Sequence, residues 1–371
     1  MTEIRSLAEA DIPVVAKLFQ KIFRKSDKEP SAELIAYLQR LYIRFAGETV
    51  PASKVLLDKN GNVSGFLGVN YFDYFCEATN KTLRTAIVST LMVEDHQHNP
   101  LGGVKLMRSL QKDGYDLMIT ETASEVAAAI WKKLDAVQLT NYSLDWLRII
   151  RPLGFMTEIA GSKLKPLAML QPFARKFDDR KRNAMHGKSL RWSATPSDWP
   201  TAQQLTCTDI DATEFAELYQ HYAQSFSCRP QWNTEQLLNR LEDAVQKPEY
   251  GKAYMVKAGT KSGKNLGLFL YHLESGKTAR VLEFFSDPKA ASQMIDTLIH
   301  HAASNGAVAI RGRTQPDLME AMLGKRIAFT HLCSTMVWAQ DPALLPPFVE
   351  GKALLNGLAG EFWNRLYANP L

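Results

Sequence analysis

The chain has 371 residues, of which 46% are hydrophobic and 22% charged, with 44 Lys and Arg against 39 Asp and Glu. That apolar content excludes a disordered chain, the length leaves room for two or three domains, and no short period marks a solenoid. A net charge of +5 is too small for this size to name a polyanionic partner.

The four cysteines (Cys76, Cys207, Cys228, Cys333) are scattered, without a CxxC pair or a metal-ligand spacing. Free thiols in a reducing, cytoplasmic setting are expected, with no disulfide frame and no metal site. The opening MTEIRSLAEADIP carries acids where a signal peptide needs an apolar run. No stretch reaches the roughly 18 apolar residues of a membrane span, so a soluble protein is expected.

In chain order, a short strand around Ile4 comes first. Asp11 as N-cap and Pro13 in the first turn predict a helix carrying Leu18, Phe19, Ile22 and Phe23 on one face. A second helix fits Ala32 to Phe45. Two β-rich runs flank Asn60-Gly61 and predict a hairpin. The apolar strand Ala86 to Val93 leads through EDHQHNP into a helix from Leu101 to about Gln111. A strand ending at Glu121, a helix from Ser124 to Leu134 and a strand region around Leu147 to Leu153 complete the unit.

Ser162 to Arg191 holds nine cations (Lys163, Lys165, Arg175, Lys176, Arg180, Lys181, Arg182, Lys188, Arg191) against Asp178 and Asp179. It reads either as a docking strip for an anionic partner or as a solvated connector, and the connector is preferred. Without interleaved aromatics, nucleic-acid binding is disfavoured. Beyond it the same order of elements returns. Asp211 caps a helix, with Glu214 completing a capping box. A hairpin follows across Lys261 to Asn265, then strand Val281 to Phe285, helix Ala290 to Ala303, strand Ala307 to Gly312, a helix from Asp317 to Leu323 and strands near Leu332 and Val337. Two similar mixed α/β folds are expected, over residues 1–161 and 196–371, joined by the basic connector 162–195. The tail LLNGLAGEFWNRLY has the spacing of a short amphipathic helix.

Chemistry concentrates where the strand ending at Val93 passes through a polar loop into Leu101-Gly102-Gly103. Free N–H groups at a helix start make an anion site, and glycines let a phosphate approach. The same glycines also suit a tight turn and close packing. This strand, loop and helix, in this order of elements, resembles the Gcn-related N-acetyltransferases. That family's Arg/Gln-x-x-Gly-x-Gly/Ala loop has two registers here: Gln97-x-x-Pro100-x-Gly102 or His98-x-x-Leu101-x-Gly103. The second places Leu106 and Met107 on the family's apolar pair.

The resemblance implies two tandem acyltransferase-like folds. It implies acetyl-CoA or another acyl-CoA as co-substrate, held by Val93, Gln97, His98, Leu101, Gly102, Gly103 and Val104. The family's Asn-x-x-Ala-x-x-Leu-Tyr-x-Lys-Leu-Gly-Phe appears as SEVAAAIWKKLDA, with Trp131 in place of the Tyr that protonates the leaving thiolate. Trp131 cannot donate that proton and reads first as core. Candidate bases are Glu121, at a strand end facing the family's acceptor cleft, and His96 and His98 in the loop. Glu121 also reads as an acid favoured at a helix entry.

In the second half the corresponding loop is Phe285-Ser286-Asp287-Pro288-Lys289-Ala290, without glycine and with an acid where phosphate would come. That copy is expected to be degenerate for coenzyme and to shape the acceptor cleft, with Arg229, Trp232, Glu283, Arg311 and Arg313 as candidate contacts. The expected function is acyl transfer from acyl-CoA to an amine or hydroxyl of a small-molecule, sugar or peptide acceptor. The alternatives are a Fem-type transfer from aminoacyl-tRNA and a non-catalytic ligand-binding or scaffold protein.

Overall fold

The computed structural model describes residues 3–44, 52–94, 99, 101–163, 171–192, 194–199 and 205–368. The first half supplies β1 (Ile4–Ser6), β2 (Lys54–Leu57), β3 (Val63–Cys76), β4 (Lys81–Val93), β5 (Leu117–Ala123), β6 (Val137–Gln138) and β7 (Leu144–Ile149). Its helices are α1 (Ile12–Phe23), α2 (Ala32–Gln39), α3 (Gly102–Gln111) and α4 (Glu125–Lys132). Then come α5 (Pro152–Lys163) and α6 (Gln171–Asn183). The second half supplies β8 (Thr206–Asp209), α7 (Ala212–Ala223), β9 (Cys228–Pro230), α8 (Thr234–Val245), β10 (Lys252–Gly259), β11 (Asn265–Leu273) and β12 (Thr278–Ser286). Its remaining elements are α9 (Ala291–Ser304), β13 (Ala309–Arg313), the single turn α10 (Met319–Met322), β14 (Ala328–His331), β15 (Ser334–Ala339) and α11 (Pro346–Val349).

Of the two caps read in sequence, Asp211 is made and Asp11 is not. Ser124 and Asp211 accept the backbone N–H of Ala127 and Glu214 at 3.3 and 2.9 Å, and Asp287 accepts that of Lys289 at 3.0 Å. Glu214 meanwhile pairs with Lys257 across to β10. Asp11 does not cap α1. Its carboxylate takes both guanidinium nitrogens of Arg5 at 2.6 and 2.8 Å and the Ala8 N–H at 2.8 Å, fixing the chain's entry into the helix.

The strands form two mixed sheets. The first runs β1-β2-β3-β4-β5-β15-β6, with β9 added to β3, and the second runs β14-β7-β13-β12-β11-β10-β8. The first half therefore gives β7 to the second sheet, and the second half gives β9 and β15 to the first. The strand region expected to close the first unit is β7, and it pairs with β13 and β14 of the second half. Pro152, lacking an N–H for a ladder, opens α5 instead. Trp146 of β7 lies flat over Gly312, where a Cβ would sit 3.0 Å from the indole. In exchange, β15 lies between β5 and β6.

The basic stretch is no extended connector where it is described. Helix α6 packs against α5. Buried Asp178 accepts the N–H groups of Leu153 and Gly154 at 3.3 and 2.8 Å, capping α5 from outside. Several arginines serve the backbone here. Arg182 donates to Thr195 O at 2.8 Å, Arg151 to Ala303 O and Ala307 O at 3.1 and 2.5 Å, and Arg148 to the carbonyls of Arg191, Trp192 and Ala194.

The largest core cluster is shared by both halves and includes the C-terminal tail through Leu354, Leu355, Leu358, Ala359 and Trp363. The tail is not the amphipathic helix its spacing suggests. It makes two short 3-10 turns, Gly357–Ala359 and Arg365–Ala368, because Asn356 and Gly357 hold positive φ and break a helical run. All four cysteines are free, with Cys76 and Cys228 opposite one another in the β3–β9 ladder. Among the described residues, no helix is long and apolar enough to cross a membrane.

Candidate active site

The site in the first half begins with one extra residue. Along the β3–β4 ladder Phe66 faces Met92 and Gly68 faces Ser89, so β4 carries two residues, Thr90 and Leu91, where β3 carries one. Thr90 sits at φ +52°, a costly conformation for a β-branched residue. Buried Tyr42 holds the bulge, its hydroxyl 2.7 Å from Thr90 Oγ1 and 3.1 Å from Ser89 Oγ. Gly68 makes room for that ring, since a Cβ there would lie 2.6 Å from it.

The bulge turns β4 away from β5. The parallel pairing Thr85–Leu117, Ala86–Met118 and Ile87–Ile119 goes no further. In the wedge beyond lies a cavity of about 250 Å³, walled by Ser89, Thr90 and Leu91 of β4, Thr120 and Thr122 of β5, Met107 of α3, and Ala127 and Trp131 of α4. Trp131 is buried and belongs to the core beneath this wedge, so the core reading stands while its ring also forms part of the wall.

Helix α3 gives Met107 to the wall of this wedge, and its first residues pack beside β4 and α4. A Cβ on Gly102 would lie 2.9 Å from Val93 Cγ1, and one on Gly103 would lie 3.0 Å from Ile130 Cδ1. Both glycines therefore bring the helix start close against the end of β4 and against α4. Val93 meets Gly102 at the end of β4, and none of Val93, Leu101, Gly102, Gly103 and Val104 is part of the cavity wall. His96, Gln97 and His98 lie outside the described residues.

Glu121 lies within β5 between Thr120 and Thr122, and it is not itself part of the cavity wall. It is 1% exposed, and Gly360, Glu361 and Phe362 of the tail cover it. Its Oε1 accepts the N–H groups of Glu361 and Phe362 at 2.6 and 2.8 Å, while its buried Oε2 has no hydrogen-bond partner. Burial, then the nearby Glu361 charge, pushes this carboxyl up to about 8, against the pull of Arg313 and the two N–H groups.

Solved structures match this chain over nearly its whole length. A GCN5-related N-acetyltransferase from Kribbella flavida is 12% identical with a TM-score of 0.56, covering 93% of this chain and 72% of that one. A second, from Anabaena variabilis, is 10% identical with a TM-score of 0.58, over 93% and 74%. A probable N-acyltransferase from Enterococcus faecalis is 13% identical with a TM-score of 0.60, over 95% and 74%. The chain has the GCN5-related N-acetyltransferase fold, in tandem. No family model and no curated protein sequence matches it.

The second copy of the acetyltransferase fold repeats the device, and the space on its helix side is small. Leu270 faces Glu283 and Tyr271 faces Val281, so β12 also carries one extra residue, Leu282. The parallel pairing with β13 again spans three pairs, from Thr278–Ala309 to Arg280–Arg311. Yet the space among Leu282, Phe284, Ile295, Leu298, Leu318 and Met322 is only about 30 Å³. The tail occupies this side. Leu358 donates its N–H to buried Glu283 at 3.1 Å, and Asn356 donates to Thr314 O at 2.9 Å. Asp287 keeps its carboxylate at the start of the following helix, where an anion would otherwise come.

Of the other residues named from sequence, Arg229 pairs with Glu77 at 2.8 Å and Trp232 packs in the core. Arg311 and Arg313 both reach Asp145 of β7, at 3.3 and 3.0 Å. Sequence reasoning missed Ser89, Thr90, Thr120 and Thr122, whose role comes from the bulge. It also missed Glu361, which the helical reading of the tail concealed. Gly357 and Gly360 were the available signal, because two glycines in so short a run weaken any helix.

Proposed function

We propose that the first copy binds an acyl-CoA and that its acyl group passes to an amine or hydroxyl of a small-molecule acceptor. The observation that carries this is the wedge itself: about 250 Å³ behind a strained bulge, walled by β4, β5, α3 and α4. In this reading the second copy is degenerate for coenzyme. Strain held at Thr90 by Tyr42 is the kind of cost that persists at functional sites.

The pyrophosphate would lie at the start of α3, against Leu101, Gly102, Gly103 and Val104, with Val93 at the strand end and Gln97 and His98 in the loop. The acceptor must lose a proton as its bond to the acyl carbon forms. Glu121 is the proposed base, with His96 and His98 as alternatives in the loop. A carboxyl pushed up to about 8 is a strong base once ionised, so transfer through it rises with pH toward that value. Trp131 supplies no acid, leaving water to protonate the thiolate. The free thiols accord with a cytoplasmic setting, which is part of this proposal.

A second reading, a non-catalytic ligand-binding protein, is favoured by one observation: the tail covers the Glu121 carboxyl. Calorimetry with acetyl-CoA on the full chain tests the first. Binding should weaken at least ~10-fold in Gly103→Asp and in Ala127→Phe, the latter filling the wedge. Absence of binding by the folded wild type overturns the proposal. Binding without thiol release across a panel of amines and alcohols moves the conclusion to the second reading.

A further inference from the structure

A second cavity, of about 260 Å³, lies between the second sheet and the tail. It shares no wall residue with the wedge of the first copy. Four cations line it, Lys247, Arg280, Arg311 and Arg313, against one carboxylate, Asp145. Asp145 is already engaged by Arg311 and Arg313.

The other two cations make no ion pair among the described residues, although the charges of Glu121, Asp243 and Glu249 act on Lys247 from further away. Lys247 is 3% exposed, and its ammonium donates to the Phe362 carbonyl with no carboxylate paired to it among the described residues. Arg280 stacks 4.4 Å above the Tyr250 ring and likewise has no carboxylate partner among the described residues. A buried ammonium bonded to a carbonyl alone is expensive, and a bound anion would give it the direct charged partner it lacks. His272, 2% exposed, lines the same cavity with an Nε2 that has no hydrogen-bond partner, and the buried Nε of Arg313 is also unpartnered. Buried polar atoms of this kind are rare in a finished core.

We propose that this cavity is a binding site for a small molecule carrying a compact oxyanion, a carboxylate or a phosphate group. Lys247 and Arg280 supply the charge, and Arg313 supplies a directed hydrogen bond through Nε. The volume, at the low end for ligand pockets, fits a small molecule and excludes a polymer. Burial pushes Lys247 down to about 7, and a bound anion would restore its proton. Phe362 connects the two sites, accepting from Lys247 through its carbonyl and donating its N–H to Glu121. The proposal does not depend on acyl-CoA binding, since the residues are separate.

The experiment is calorimetry on the full chain with inorganic phosphate and, separately, with succinate, at matched ionic strength. Saturable one-to-one binding of either is expected, and the tighter of the two identifies the kind of oxyanion. Lys247→Met and Arg280→Gln should each weaken it at least ~10-fold, while Ala127→Phe leaves it unchanged. Should Lys247→Met fail to fold, Arg280→Gln decides, because that side chain is only half-buried. The inference is overturned if the folded wild type binds neither anion, or if Arg280→Gln binds as the wild type does.

Discussion

Glu121 and Glu361 each hold the other's backbone. Oε1 of Glu121 accepts the Glu361 and Phe362 N–H groups at 2.6 and 2.8 Å. Oε2 of Glu361 accepts the Glu121 and Thr122 N–H groups at 2.6 and 3.1 Å and the Thr120 hydroxyl at 2.9 Å. This clasp joins the wall of the wedge to the far end of the chain. Glu361→Ala removes the acceptor and strands buried donors on β5. The expected loss is about 3 kcal/mol of unfolding free energy, since each unsatisfied buried group costs about 1–3 kcal/mol. Urea titration should show a lower midpoint at unchanged slope. A midpoint equal to the wild type's would mean that the clasp holds nothing.

The clasp leaves no room at Gly360. A Cβ there would lie 2.3 Å from Cδ of Glu121 and 2.4 and 2.5 Å from its two oxygens. Gly360→Ala is therefore expected to unseat the tail and cost ~3 kcal/mol or more. Glu121→Ala vacates that space. In a double-mutant cycle the pair should be less destabilised than the sum of the singles by at least ~1 kcal/mol. Strict additivity would place the clash elsewhere.

What the sequence revealed was local. Ser124, Asp211 and Asp287 start helices by accepting N–H groups two or three residues on, so their roles are written in neighbouring positions. Asn60-Gly61 could be read as a turn for the same reason, with Gly61 at φ +82°. The exchange of β7 and β15 could not be read, because their patterning fits an interior position in either sheet and partner choice lies far along the chain. Thr90 gives no sign in sequence that it will bulge; Tyr42 and Gly68 impose that conformation from other elements. Nothing in the sequence marks Lys247 as buried, and only the packed tail shows it so.

Arg148 shows how the halves are locked. It is fully buried on β7 and donates to the carbonyls of Arg191, Trp192 and Ala194 at 2.8, 3.1 and 2.8 Å, and to Thr195 Oγ1 at 3.0 Å. Burial pushes it down to about 10, still charged at neutral pH. Lysine offers one point of charge where the planar fork spans several acceptors. Arg148→Lys should therefore cost about 2 kcal/mol or more, and proteolysis of the folded protein should begin between residues 188 and 195. Wild-type resistance there would assign the anchoring to α6 instead.

The Glu121 carboxyl makes a pH-dependent contribution of definite sign. Its folded value of about 8 lies above the ordinary 4.5, so the folded chain binds this proton more tightly than the unfolded chain. The stability it contributes is fully present below pH 4.5 and is lost as the pH rises through about 8. Glu121→Gln keeps an oxygen for the Glu361 and Phe362 N–H groups but never ionises. Relative to the wild type it should therefore gain between pH 5 and pH 9, by on the order of 3 kcal/mol. Lys247 and His272 contribute with the opposite sign, because burial lowers both, His272 at the acid side of this interval and Lys247 at its alkaline side. Each is present in both variants, so comparing them at each pH removes most of that background. Urea midpoints measured at pH 5, 7 and 9 suffice. A difference that stays flat from pH 5 to pH 9 would show that Glu121 titrates as an ordinary carboxylate, leaving it no proton to exchange near pH 8.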